Sequence, residues 1–211
     1  MKILAIETTG HFASVALGAS HIKNDTDYSH LQEIVPMCEE ILAKEKIKGE
    51  ELDAIAVSKG PGSFTGIRIG LATAKGLALV WNKPIIAVPT LDSFMGRREG
   101  LIVPIFDARR SQVYSGIYKN KETLLPPGAY DIDWFKNKLD EIAKDENEIH
   151  FYGDGTGLIG KESEGAQEAT QVLALAEEMF VKGETTTAYL AEPEYLRLAE
   201  AERKLIEKNE K

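Results

Sequence analysis

A pattern near the start of the chain returns one hundred residues later, and this repeat constrains the fold more than any other feature. The segment ILAIETTGHFASVAL begins at Ile3, and VPIFDARRSQVYSGI begins at Val103. Each is an apolar strand ending in an acid, then a turn, then a second strand. Laid together without gaps, Glu7 falls on Asp107, Ile6 on Phe106, Ala13 on Val113, Val15 on Ser115 and Leu17 on Ile117. Farther on, DAIAVSKGPG has a counterpart in EIHFYGDGTG: again a strand, then a glycine loop. Helical periodicity fills the gaps at about 30–46, 63–81, 132–144 and 167–180. The order supports a duplicated β–β–α–β–α unit. It predicts two α/β lobes, 1–100 and 101–211, facing each other across a cleft. Ligands of α/β sheets gather at the carboxyl ends of strands, which puts Glu7, Asp107 and the glycine loops near that cleft.

Finer signals refine the elements. Ser29 and Gln32 form a capping-box pattern, and Pro36 inside the following helical pattern predicts a kink. A short helix is expected over TLDSFMGRR, residues 90–98. The tail AEPEYLRLAEAERKLIEKNEK, residues 191–211, ends in a highly charged helical pattern of the solvated or frayed kind.

Composition narrows the function. No apolar run reaches the roughly eighteen residues of a membrane helix, and MKILAIETTG does not read as a signal peptide. The single cysteine, Cys38, excludes an internal disulfide and any CxxC site. These features predict a cytoplasmic protein without membrane attachment. The formal charge of −9 argues against a broad basic surface for nucleic acid.

The stretch SKGPGSFTGIRIG, residues 58–70, admits three readings. A nucleophile elbow needs G-x-S-x-G, but Ser63 has Pro61 and Thr65 at the glycine places. A Walker A loop fails because Ile67 and Arg68 follow Gly66, and a dinucleotide fingerprint fails at Thr65. Backbone N–H groups at a helix start can still bind an anion. The phosphate-loop candidates are therefore Glu7, Thr8, Gly60, Gly62, Ser63 and Asp107. The third reading is packing. Gly66, Gly70, Ala74 and Ala78 recur every four residues on one helix face, flanked by Ile67, Leu71 and Val80. Such a ridge lets another element approach closely. Spacing does not say whether that neighbour belongs to this chain or another.

At this length the motif is specific. GPGSFTGIRIGLATAKGLA closely resembles the signature of the TsaB (YeaZ) family, paralogues of the TsaD/Kae1 enzymes of tRNA threonylcarbamoyladenosine formation. The opening strand pair, YSHLQEIVPMCEEIL, PTLDSF, PIFDARRSQVYSGIY and EPEYLR resemble further family segments in the right order. The resemblance implies an actin/Hsp70/sugar-kinase-like α/β fold of duplicated β-β-β-α-β-α lobes, the second reduced. It implies a non-catalytic subunit that pairs with a TsaD-like subunit as a heterodimer, works with a TsaE-like ATPase, and meets tRNA only indirectly. Pairing is expected through the first two helices, with His30, Ile34, Ile41, Gly66, Ile67, Gly70, Leu71, Ala74 and Ala78 as interface candidates. Alone, the same surface is expected to form a homodimer. Gly70→Leu and Ala74→Arg are then expected to leave the lobe folded and break pairing. No cofactor or metal is required of this chain, though ATP or ADP could sit at the partner interface. TsaD-like enzymes hold a metal through an H-x-x-x-H helix, and here Ile34 stands four residues after His30. One departure is Glu7 in ETT, where the family usually has Asp. An ATPase or kinase working in the cleft with Glu7 and Asp107 is the alternative function, and a glycoprotease-like peptidase a weaker one.

Overall fold

The computed structural model describes residues 1–24, 30–95 and 98–197, with backbone only at His30 and Leu31. Ser29 of the expected cap and the tail after residue 197 lie outside the described residues.

The first lobe is a five-stranded sheet. Strands β1 (Ile3–Glu7), β2 (Ser14–Leu17) and β3 (Ser20–Lys23) form an antiparallel meander. Helix α1 (His30–Glu45) then leads to β4 (Ala54–Gly60), which pairs parallel to β1. Helix α2 (Phe64–Trp81) leads to β5 (Ile85–Pro89), parallel to β4. The sheet order is β3-β2-β1-β4-β5. The second lobe repeats the scheme with β6 (Leu101–Arg109), β7 (Gln112–Lys119), β8 (Glu122–Asp131), α3 (Ile132–Ile142) and β9 (Ile149–Tyr152) in the order β8-β7-β6-β9. β9 runs parallel to β6, as β4 does to β1. Duplication is thus visible in topology, and the second lobe is the smaller copy.

The ungapped sequence match needs one correction. Ile6 pairs with Val15, but Phe106 pairs with Tyr114, because the turn after Asp107 is one residue tighter. The two strand pairs are therefore out of step by one, and a slip of one residue exchanges the faces of a strand. The faces show which strand has slipped: Ala13, Val15 and Leu17 share a cluster with Leu4 and Ile6, and Val113 and Ile117 share one with Val103, Ile105 and Phe135 of α3, so it is Ile105, paired with Ser115, and not Phe106, that matches Ile6. The turn is built from Arg109, Arg110 and Ser111, all with positive φ.

A second correction concerns α4 (Ala169–Val181), which follows β9 in sequence but does not pack on the second sheet. It lies across β1, β2, β4 and β5 of the first. The alternating side chains of that sheet explain why. One face carries Leu4, Ile6, Val15, Leu17, Ile55 and Val57 under α1 and α2. The other carries Ile3, Ala5, Ala16, Ala54 and Ala56 under Ala169, Val172 and Ala176 of α4. The alanines let α4 sit close, and with both faces covered the parallel strands become continuous apolar runs.

Helix α1 continues unbroken through Pro36. Of the short helix expected over 90–98, the described residues form a 3-10 turn, Asp92–Phe94, while residues 96 and 97 lie outside them. Phe94 of this turn joins Phe106, Tyr118 and Tyr152 in a cluster at the junction of the lobes.

Candidate functional site

The carboxyl end of β1 meets the start of α2, and sequence chemistry fixes how. Thr8 is fully buried, and its hydroxyl donates to the Gly66 carbonyl at 2.8 Å. A Cβ at Gly66 would lie under 3.0 Å from the Thr8 carbonyl oxygen, and one at Gly70 equally close to the Thr8 hydroxyl. Only glycine at these two places lets α2 rest on the turn after β1. Farther along, Ile67, Leu71, Ala74 and Ala78 fill the core between α2 and the sheet. The packing reading of the glycine motif is correct, but the neighbour is this chain's own first lobe.

That result corrects the interface candidates. Gly66, Ile67, Gly70, Leu71, Ala74 and Ala78 are buried inside the lobe. So are Ile34 and Ile41 of α1. None of these eight side chains or glycines is available to a visiting subunit. The side chain of His30 lies outside the described residues. Gly70→Leu and Ala74→Arg must therefore disrupt the lobe itself.

The solvent face of the same helices carries a different set. On α2 its exposed residues are Phe64, Thr65, Arg68, Ala72, Gly76, Leu79 and Val80, with Ile69 and Thr73 half-buried at its edge. Val80 is 77% exposed and Leu79 53%. A Cβ at Gly76 would meet nothing within 4 Å. Arg68 and Lys75 are the only charged residues among the 18 of α2. On α1, packed beside α2 over the same core, Val35, Pro36 and Ala43 face outward among Glu39, Glu40 and Lys44. Four-residue spacing had singled out the inward ridge. The missed signal was that α2 carries only two charges and stays largely apolar even on its solvent face, where an amphipathic helix would be polar.

The phosphate-loop candidates divide. Glu7 is fully buried. One carboxylate oxygen accepts from the Thr9 backbone N–H and from the Thr9 hydroxyl at 2.6 Å; the other accepts from the Ser58 hydroxyl. It thereby ties β1 to β4. Gly60 adopts φ +114°, and a Cβ there would lie 2.5 Å from the Glu194 carbonyl oxygen. Ser63 caps α2 by accepting from the Gly66 N–H at 3.2 Å, and its own N–H donates to the Thr9 carbonyl at 2.8 Å. The N–H groups expected to cradle an anion are thus partly taken by the chain.

A cleft of about 320 Å³ does lie between the lobes. Thr9, His11, Gly62, Ser63 and Phe64 line one wall; Phe106, Asp107, Arg109, Tyr114 and Asp154 line the other. Asp107 accepts from its own turn, from the Arg109 N–H at 2.6 Å, and pairs with the Arg109 guanidinium at 3.0 Å. Asp154, on the second glycine loop, accepts from the Asp107 N–H at 3.1 Å and meets His11 Nε2 at 3.2 Å across the cleft. Sequence reasoning had missed His11 and Asp154. Among the described residues no group of three or more His, Cys, Asp or Glu is placed to hold a metal ion. None of their helices is long and apolar enough to cross a membrane.

Comparison with known proteins agrees with this architecture. The family model described as "TsaD: tRNA N6-adenosine threonylcarbamoyltransferase" matches residues 24–205. The tRNA threonylcarbamoyladenosine biosynthesis protein TsaB of Bacillus subtilis (strain 168) is 34% identical, over 98% of this chain and 99% of its own. Its namesake in Escherichia coli (strain K12) is 33% identical, over 97% and 98%. A solved structure from Pseudomonas aeruginosa, described as similar to peptidase YeaZ, covers 93% of this chain and 99% of its own. It shares 26% identity, with a TM-score of 0.74. A second, YeaZ itself from the same organism, covers 92% and 99% with 25% identity and a TM-score of 0.73. With the glycine motif, the paired lobes and near end-to-end matches all in accord, the chain belongs to the TsaB (YeaZ) family of tRNA threonylcarbamoyladenosine biosynthesis proteins.

Proposed function

We propose that this chain acts in the formation of threonylcarbamoyladenosine in tRNA as a non-catalytic subunit that docks a TsaD-like enzyme. The observation that carries the reading is the second apolar face of α2. One face fills the chain's own core; the other presents Ala72, Gly76, Leu79 and Val80 to solvent, while Val35 and Pro36 are exposed on α1. An exposed apolar surface of this kind marks an interaction site. The small Ala72 and Gly76 leave room for the backbone of a partner helix. In the absence of that partner the same face pairs with a second copy. A TsaE-like ATPase acts on the assembled pair, and tRNA is met through the partner, consistent with the acidic chain.

The rival reading makes the chain an ATPase of the interlobe cleft. It needs Glu7 open to a magnesium-bound phosphate, whereas the Glu7 carboxylate is buried and held by Thr9 and Ser58. Any ADP or ATP is better placed where the two subunits meet. The test is co-elution of purified chain with a TsaD-like subunit, alongside ATP turnover by the chain alone. A stable pair without turnover is expected. Specific hydrolysis by the isolated chain, abolished in Glu7→Gln, would favour the cleft enzyme instead.

A further inference from the structure

The segment EPEYLR, residues 192–197, meets the first turn of α2 and spans the two lobes. Glu194 is fixed to the first lobe: its N–H donates to the Lys59 carbonyl at 2.8 Å and its carboxylate pairs with Lys59 Nζ at 2.9 Å. Tyr195 stacks on Phe64 with ring centroids 4.9 Å apart, and its hydroxyl accepts from Arg68 Nε at 3.0 Å. The Arg68 guanidinium also lies over the Phe64 ring, 3.8 Å from its centroid. Leu196 turns to the junction cluster containing Phe94 and Phe106. Arg197 reaches the second lobe, donating to the carbonyls of Ala108 and, at 3.4 Å, Arg109. Two successive residues thus hold the first lobe, and the next two hold the junction and the second.

Phe64, Ala108 and Arg109 all line the cleft, so these contacts bridge one of its rims. His11 and Asp154 bridge it elsewhere. The segment has no regular secondary structure, and Tyr195 is 40% exposed. Few buried contacts and solvated hydrogen bonds are features of elements that open locally, below the free energy of global unfolding.

We infer that residues 194–197 are a latch that holds the interlobe cleft closed at the α2 rim and couples the first turn of α2 to the second lobe. Phe64 and Arg68 hold Tyr195 on one side and stand at the start of the docking helix on the other. A subunit seated on α2 therefore changes how firmly the latch closes, and by linkage the state of the cleft changes how well that subunit binds. The coupling half of this inference rests on the docking role proposed above; the latch itself does not.

The test is hydrogen exchange on the full chain, unaltered and as Tyr195→Ala/Arg197→Ala. Release of the latch speeds exchange at residues 59–66 and 106–111 by about fivefold or more, while residues 3–6 and 54–57 keep their rates. Unchanged exchange at 106–111 overturns the latch, and so does acceleration spread evenly over both sheets, the mark of a mere brace. Arg197→Met releases only the second-lobe anchor and is read the same way if the double variant does not fold. Adding a TsaD-like subunit should slow exchange at 106–111 in the unaltered chain but not in the variant. Binding with no change there overturns the coupling. No binding at all refutes the docking role and leaves the latch to be decided by the first comparison.

Discussion

The two faces of α2 carry nearly the same chemistry and do opposite work. Inward, Gly66 and Gly70 touch Thr8 so tightly that no side chain fits, and the helix is locked to its own sheet. Outward, Gly76 faces open space, next to Ala72, Leu79 and Val80. A glycine is thus a packing requirement on one side of a helix and an exposed invitation on the other. What separates them is the rotation of the helix about its axis, set by where Ile67 and Leu71 find the core.

That contrast can be broken by substitution. The largest effect is expected at Gly66→Leu, which forces Cβ into the Thr8 carbonyl. Overpacking against backbone should destabilise the chain by about 4 kcal/mol or more, read by thermal or urea unfolding. A stable Gly66→Leu protein would mean that α2 can lift off β1. Next comes Ala72→Arg on the outer face. Its stability should move by no more than about 0.5 kcal/mol, while affinity for a TsaD-like subunit falls by about 2 kcal/mol, roughly thirtyfold. Titration calorimetry separates the two quantities, and undiminished binding would move the interface off α2.

A smaller effect of opposite sign sharpens the same point. Gly76→Ala should raise stability by roughly 0.5–1 kcal/mol, because a mid-helix glycine is costly and nothing fills the space beside it. A loss in its place would reveal an intramolecular neighbour. The smallest expected change lies at the lobe junction. Burial raises the Asp92 carboxyl above the usual carboxylate range, although the Tyr118 hydroxyl donates to it at 2.8 Å and draws it back down. A raised folded pKa means the group favours folding at low pH, and that contribution is lost as pH rises through the folded value. Asp92→Asn should therefore raise the melting temperature at pH 7, with the gain shrinking as pH falls through the carboxylate range. A gain independent of pH would show that burial of this carboxyl is not the cause.

Much of this was legible in the residues. The bounds of α1 and α2 and the strand before each glycine loop follow from periodicity and punctuation. Periodicity did not show that α4 would leave its own half, because its alanines and valine suit either sheet. Nor did it show the tighter turn after Asp107, which depends on three consecutive residues taking positive φ. Glu7 was correctly placed at a strand end, but it is buried and does not line the cleft, and its partners Thr9 and Ser58 were invisible as such. Ser58 lies 51 residues away, and no local pattern encodes that contact.

By itself the sequence determined the kind of molecule: a twofold α/β scaffold, a helix free of bulk at four-residue intervals, and a family signature. Only the tertiary structure decided which way that helix turns. Spacing defines which residues share a face, since it is a property of one helix. The direction of the face depends on what the helix packs against, and here the β1 turn claimed the glycines and left Ala72, Gly76 and Val80 to the outside.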